Sequence, residues 1–384
     1  MDCSLLGRKN KRVWREVMKP WQHGYDIDYL KGLEAQYADY NAYTLSPFAK
    51  YKKNNIAESL KKETLVLLGD AMIDITVNKV ASDITMHGDT VIATKVKGDI
   101  SIGKLSGNIN TIKQKISMIV GNNFWLTVWA ENKAHCDLAE ELGFCYVGPK
   151  ITTYGEVHAI YFKSNSPIPR SFPKVESTEY LSIKKINHTV TAYFIDLISA
   201  KLATLPAFTN HYSNYNKDKA WSALSLRGYR PEPDFITKPS EMSDEWKEKN
   251  KDVKFELQDT PLYDMFPEIR ILLSRLKKVH RVRFMQLKPG GGELERHTDQ
   301  VDKDSGGSKG KLARLHIPII TNPDMIFTVW DTKGTPQKVH MEVGDVWFLD
   351  TRKPHQAVNN GTENRIHLVI DAISEGDLYE SLVS

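Results

Sequence analysis

Cysteine is scarce in this chain: Cys3, Cys136 and Cys145 are all it has, and no two form a CxxC pair. Three thiols cannot all be bridged within one chain, which excludes a full disulfide framework and points to a reducing compartment, the cytoplasm. Long apolar runs are missing too. The basic opening "MDCSLLGRKNKRVWREV" is followed by no apolar core, and no stretch reaches membrane-spanning length, so an integral membrane protein is not expected. Charge of one sign is also in short supply. The formal excess is only +4, all of it in residues 1–170, too little to imply a nucleic-acid partner. A local basic run, "RLKKVHRVR" (275–283), reads as a solvated helix end running into a strand. Tandem repeats and low-complexity tracts are absent.

What is present is the composition of a globular protein, 41% hydrophobic and 26% charged over 384 residues. That length exceeds one ordinary core and predicts two. The sharpest break is "FKSNSPIPRSFPKVEST" (162–178), where prolines forbid a continuous helix and remove ladder donors. Its centre near residue 170 divides the chain into domains 1–168 and 169–384. A second polar stretch, 237–261, reads as a charged surface insertion.

Upstream, strands and helices alternate in an α/β order. "NTIKQKISMIVGN" spaces Ile112, Ile116 and Ile119 along a helix face, and "NFWLTVWAE" is a strand. "NKAHCDLAEELGF" places Ala134, Leu138 and Leu142 at helical spacing, with Gly143 as the stop. Downstream of residue 280, eight short strands follow in quick succession to residue 373, the count expected of an antiparallel barrel or jelly roll. Two helical stretches, "VTAYFIDLISAKLATL" and "FPEIRILLSRLKKV", precede them and can cover one sheet. The expected fold is α+β with two domains, the second a cupin-like double-stranded β-helix with flanking helices.

Strand alternation then sorts the barrel's side chains. In "RLHIPI", Arg314 and His316 share one face while Leu315, Ile317 and Ile319 share the other. In "NRIHLVID", Arg365 and His367 oppose Ile366, Leu368 and Ile370. An inner face carrying His297, Asp299, Arg314, His316, His355 and Arg365 is costly to bury unless something charged compensates it. A divalent metal and a dicarboxylate would do so. His297 and Asp299, set i and i+2 in "ERHTD", and His355 in "KPHQ" offer two imidazoles and a carboxylate, the facial triad of a non-haem iron oxygenase. Arg365, ten residues beyond His355, supplies a fork suited to a carboxylate.

Two resemblances rest on these residues and on the upstream helix. The stretch "RVRFMQLKPGGGELERHTD…RLHIPIITNPD…GDVWFLDTRKPHQAVNNGTENRIHLVID" resembles the aspartyl/asparaginyl β-hydroxylase family of Fe(II)- and 2-oxoglutarate-dependent dioxygenases, over roughly residues 180–384. The resemblance implies that His297, Asp299 and His355 bind iron. It also implies that Arg365 takes the distal carboxylate of 2-oxoglutarate, and that Arg314 and His316 line the cosubstrate pocket. Some members lack the acidic ligand; Asp299 makes this chain similar to the bacterial branch that keeps it. Residues 132–148, "NKAHCDLAEELGFCYVG", resemble the second half of the Gcn5-related N-acetyltransferase fold. That likeness implies a pyrophosphate turn around Lys104 and Gly107 with Asn132 leading the next helix, and acetyl-CoA as a ligand. Ile109 and Ala139 depart from its pattern.

The implied activity is hydroxylation of an amino-acid-type C–H bond with Fe(II), 2-oxoglutarate and O2, releasing succinate and CO2. The substrate is a free amino acid, a protein side chain or a lipid-linked amino acid. Trp221, Arg227 and Arg283 are candidates to touch it, each with a packing or salt-bridge role as its alternative. His367 and His340 read as barrel or surface histidines. The rivals are an N-acyltransferase with an accessory barrel and a non-catalytic binding module.

Overall fold

The computed structural model describes residues 65–67, 71–119, 121–152, 155–167, 170–213, 215–299 and 304–384. The basic N-terminal stretch and Cys3 lie outside the described residues. The described residues form two compact units, one drawn from residues up to 84, 91–150 and 158–173, the other from 85–90, 151–157 and 174–384.

The described residues to 164 fold as β1 Leu65–Leu67, β2 Ala71–Val77, β3 Ser82–Thr85, β4 Val91–Lys95, β5 Ile100–Gly107, α1 Ile109–Met118, β6 Asn123–Trp129, α2 Lys133–Glu141, β7 Cys145–Ile151 and β8 Val157–Ser164. Six strands make one sheet in the order β1-β2-β5-β6-β8-β7. Strands β5 and β6 pair parallel, and α1 is the crossover that joins them. The Asn108 side chain accepts from the N–H groups of Asn110 and Thr111, which starts α1, and Ile112 and Ile116 are buried. In α2 the buried face is His135, Leu138 and Ala139. Ala134, expected on that face, is exposed, because the cap at Asn132 sets the phase one residue later. Gly143, with φ +77°, ends the turn. The proline-rich stretch is not a bare linker. Arg170 pairs with Asp99 at 2.6 Å and Phe172 packs on Phe162 and Trp125, so its near half belongs to the first unit's core.

The second unit begins with β9 Ile183–Thr189, α3 Ala192–Leu202, β10 Thr209–Asn210, β11 Trp221–Gly228, α4 Asp244–Lys249, β12 Gln258–Asp259 and α5 Pro267–Leu273. Eight barrel strands follow: β13 Val279–Leu287, β14 Gly292–His297, β15 Leu312–Ile320, β16 Met325–Trp330, β17 Pro336–Val339, β18 Asp345–Leu349, β19 His355–Asn359 and β20 Arg365–Ile373; α6 Asp377–Val383 closes the chain. They divide between two sheets. One contains β13-β20-β15-β18, extended by β11 and β10 on one side and β9 on the other; the second is β14-β19-β16-β17. That wrapping is the double-stranded β-helix, or jelly roll. Between β13 and β14 the turn uses Gly290 and Gly291 at positive φ, and a Cβ on Gly292 would lie 2.2 Å from the Lys288 carbonyl.

An extensive apolar core lies outside the barrel. Leu315, Ile317 and Ile319 of β15, Ile366, Leu368 and Ile370 of β20, and Phe284 of β13 pack against Ile195, Ile198 and Leu202 of α3 and Ile269 and Leu273 of α5. Strand alternation thereby sends the other face of each strand inward. The helix expected through "FPEIRILLSRLKKV" stops at Leu273, and its basic continuation is turn rather than helix. Among the described residues, no helix is long and apolar enough to cross a membrane.

Phe284 is fully buried and meets Phe266 at 5.1 Å between ring centroids. Phe284→Ala should cost about 3–5 kcal/mol, read as a lowered denaturation midpoint of the barrel unit; an unchanged midpoint would place the stabilising core elsewhere.

Candidate metal centre

Three ligand atoms converge at one end of the barrel. His297 closes β14, His355 opens β19, and the two residues face one another in the ladder. Their rings lie 4.4 Å apart between centroids. Asp299 is not in the strand: β14 ends at His297, and Asp299 is carried just past it, where its N–H donates to the Thr351 carbonyl at 2.8 Å. Its Oδ1 is 3.6 Å from His297 Nε2 and 3.9 Å from His355 Nε2. One donor atom from each residue falls within 4.8 Å of the others. The expected trio is brought together, although the bulge in β14 and not simple strand alternation sets its geometry.

Both histidines are held in one tautomer. His297 Nδ1 lies 2.6 Å from the Glu295 carbonyl and His355 Nδ1 2.9 Å from that of Lys353. A carbonyl only accepts, so each Nδ1 carries the proton and each Nε2 presents a lone pair. Burial, with the neighbouring His297, pushes His355 down to about 4, so it is a neutral imidazole at pH 7. Enclosure works against the charge of Asp299, but the Arg314 guanidinium at 2.6 Å outweighs it and holds the carboxyl well below its usual range. A flat Tyr215 ring stacks on His297 at 4.6 Å.

The His355 approach is rigid. Lys353 is fully buried, donates to the carbonyls of Glu179 and Leu181, and pairs with Asp350 at 3.3 Å. Arg352 pairs with Asp350 at 2.7 Å and Glu179 at 3.1 Å.

A cavity opens onto the trio, lined among others by Trp221, Met285, Leu294, Arg314, His316, Phe327 and Arg365. Arg365 stands on β20, 3% exposed, and no carboxylate among the described residues pairs with it. Its Nε has no partner, and burial pushes its pKa down to about 9. His316 and His367 touch through their Nδ1 atoms at 3.4 Å, and neither Nε2 finds a partner. Burial, then the charge of Arg365, holds both imidazoles well below their ordinary pKa.

Other expected residues land elsewhere. Arg314 lines the cavity, yet its fork is committed to Asp299 and, through Nε at 2.7 Å, to Asp371. Arg227 is not at the cavity; it bonds Asp259 at 2.6 Å and the Val279 carbonyl, tying β12 and β13 to β11. Arg283 is buried against Asp371 and the Ile236 carbonyl. His340 bonds the Met325 carbonyl. The turn expected at Lys104 and Gly107 is strand: Ser106 and Gly107 pair with Met72 and Ala71, which commits their backbone to the ladder. Asn132 is a helix cap, accepting from the His135 N–H. Sequence reasoning misses Asp371 and Arg281, although the alternation that finds Arg365 and His367 runs on to Asp371.

Residues 196–375 match the family described as aspartyl/asparaginyl beta-hydroxylase. No curated protein matches the chain. Among solved structures it is similar to a Pseudomonas putida prolyl-4-hydroxylase (12% identity, 51% of this chain and 94% of that one, TM-score 0.29). It is also similar to a Trichoplax adhaerens prolyl hydroxylase in complex with a hypoxia inducible factor peptide fragment (12%, 52% and 87%, TM-score 0.33). A third is the viral collagen prolyl hydroxylase of Paramecium Bursaria Chlorella virus-1 in a 2OG complex (16%, 51% and 98%, TM-score 0.28). The matched segment contains the whole histidine–aspartate trio and Arg365, and the chain is an enzyme of the oxygenase class. The acetyltransferase resemblance of the N-terminal half finds no support in these comparisons.

Arg314→Met should weaken divalent-metal binding about 10- to 100-fold by freeing Asp299, as read by Mn(II) titration. Unchanged affinity would mean that Asp299 keeps its place without the guanidinium.

Proposed function

We propose that the second unit is an Fe(II)- and 2-oxoglutarate-dependent hydroxylase, with His297, Asp299 and His355 as the iron ligands and Arg365 gripping the far carboxylate of the cosubstrate. The single observation that carries this is a pairing within one cavity. A three-donor cluster of two imidazoles and one ionised carboxylate sits at one end, and a buried guanidinium with an orphaned nitrogen sits in the same lining. The donor set suits a non-haem iron. That guanidinium lies over the Phe327 ring at 5.9 Å but has no carboxylate opposite it among the described residues, and it suits one, since a buried cation is costly without an anion.

When bound, iron and 2-oxoglutarate supply the activation of O2, with CO2 and succinate leaving and a hydroxyl reaching a C–H bond of the substrate. The chain supplies ligands, orientation and exclusion of water. The Glu295 and Lys353 carbonyls aim both Nε2 atoms, and Arg314 keeps Asp299 ionised and in place. Leu294, Phe327, Leu349 and Ala357 form apolar walls, which strengthen every charge contact within. His316 and His367 present neutral nitrogens beside Arg365. Trp221 lines the same cavity and is the substrate contact this reading keeps from the expected three at the cavity itself.

The family description names amino-acid side chains, and an amino-acid-type C–H bond is the substrate class taken here, whether free, within a protein or linked to lipid. Among the described residues nothing in the geometry favours an acyltransferase reading.

The test is succinate formation from 2-oxoglutarate by the full chain with Fe(II) and ascorbate, beside His297→Ala, with pooled amino acids, peptides and lipid extract. Turnover in the wild type, abolished by His297→Ala and raised by one pool, is expected. Turnover that survives His297→Ala would remove the trio from the chemistry.

A further inference from the structure

Between Arg365 and Val369 on the inner stripe of β20 stands His367, 1% exposed. Its partner across the ladder to β15 is Pro318, which sets it diagonally beside His316 on the same face. The two Nδ1 atoms lie 3.4 Å apart. Of the pair, His316 lines the cavity that opens onto the metal trio, and His367 lies outside that lining. The His316 ring meets Phe327 edge to face, 5.7 Å between centroids. Neither Nε2 has a partner among the described residues.

Two imidazoles joined Nδ1 to Nδ1 share one proton between those atoms. Burial, then the charge of Arg365, keeps both rings neutral at pH 7, so each carries a single N–H. One ring therefore donates from Nδ1 and shows a bare lone pair at Nε2, while the other accepts at Nδ1 and shows an N–H at Nε2. Burial separates the two arrangements. With the shared proton on His316, the N–H left over is that of His367 Nε2, enclosed and without an acceptor. With the shared proton on His367, the N–H left over is that of His316, whose ring borders the cavity and can meet a guest there. An orphaned buried N–H is costly and rarer than an orphaned acceptor, so the second arrangement is favoured.

We propose that His367 is a positioning residue: its Nδ1–H fixes His316 in the tautomer that offers an Nε2–H to an acceptor oxygen of the molecule held beside Arg365. This rests on the hydroxylase reading, which gives that molecule as 2-oxoglutarate. Arg365 supplies charge, and the imidazole pair supplies a donor that stays put while His367 occupies the other nitrogen of His316. A neutral N–H adds a hydrogen bond without adding a further cation to a face that already carries Arg314 and Arg365. It also discriminates. A carboxylate or keto oxygen only accepts and is matched, whereas an ammonium group only donates and meets another N–H. Without His367, His316 can move its proton to Nδ1 and turn a lone pair toward the same oxygen.

The experiment uses the full chain with diamagnetic Zn(II) and isotope-labelled histidine, so that nitrogen NMR reads which ring nitrogen of His316 and His367 carries the proton. Calorimetry of 2-oxoglutarate is run beside it. The wild type should show the proton on Nε2 of His316 and on Nδ1 of His367. His367→Phe should shift the His316 proton toward Nδ1 and weaken 2-oxoglutarate binding about 10- to 100-fold, the worth of a hydrogen bond to a charged group. His367→Asn, whose amide nitrogen can donate from near the place of Nδ1, should keep the Nε2 tautomer and recover most of the affinity. A proton on Nδ1 of His316 in the wild type, undiminished binding in His367→Phe, or a folded His367→Asn that binds as weakly as His367→Phe would overturn the role. The wild-type tautomers need no variant, so they decide even if neither variant folds. A wild type that binds no 2-oxoglutarate would count against the hydroxylase reading instead, and the tautomers of the free chain would then still judge His367.

Discussion

One guanidinium holds the centre of this molecule together. Arg314 reaches Asp299 with one nitrogen and Asp371 with another, at 2.6 and 2.7 Å, and so fastens a carboxylate on a loose strand end to the wall of the barrel. Asp299 needs that fastening, because β14 stops at His297 and leaves Asp299 outside the ladder. The same contact keeps the carboxyl ionised in an enclosed place. Arg314 thus fixes the carboxylate of the third donor, whose backbone the Thr351 carbonyl holds at 2.8 Å.

The barrel can accommodate so much inner charge because its stability comes from the other face. Period-two strands put Leu315, Ile317 and Ile319 against helices on the outside while Arg314 and His316 turn inward. The inner face is therefore free to carry groups that a packed core would exclude. The approach to His355 follows a different logic, with Lys353, Asp350, Arg352 and Glu179 satisfying one another under the loop. Removing one member of such a buried network strands its partners, which makes the loop hard to deform.

Much of this is legible in the chain. Eight strands, the outward aliphatic row of β20 and the histidine–aspartate–histidine spacing all come from local pattern. The features that escape it depend on partners distant in sequence. Arg227 carries no mark that says it will meet Asp259, and Arg314 none that says its fork will divide between two acids. The helix after Pro267 stops at Leu273 because the chain must turn into β13, a tertiary demand that propensity does not show. Asp371 is within reach of pattern reading, two positions beyond Val369 on a stripe that Arg365 and His367 already mark as polar. In the N-terminal half, the backbone of Ser106 and Gly107 is taken up by pairing with β2, a contact across more than thirty residues that local motif reading does not see.

The most direct measurement is equilibrium dialysis of labelled 2-oxoglutarate against the full chain, with and without Mn(II), in the wild type and Arg365→Met. The structure predicts binding that requires the metal and is lost in Arg365→Met while one metal per chain is retained. Binding indifferent to metal, or undiminished by the loss of Arg365, would contradict a cosubstrate held between the trio and that guanidinium.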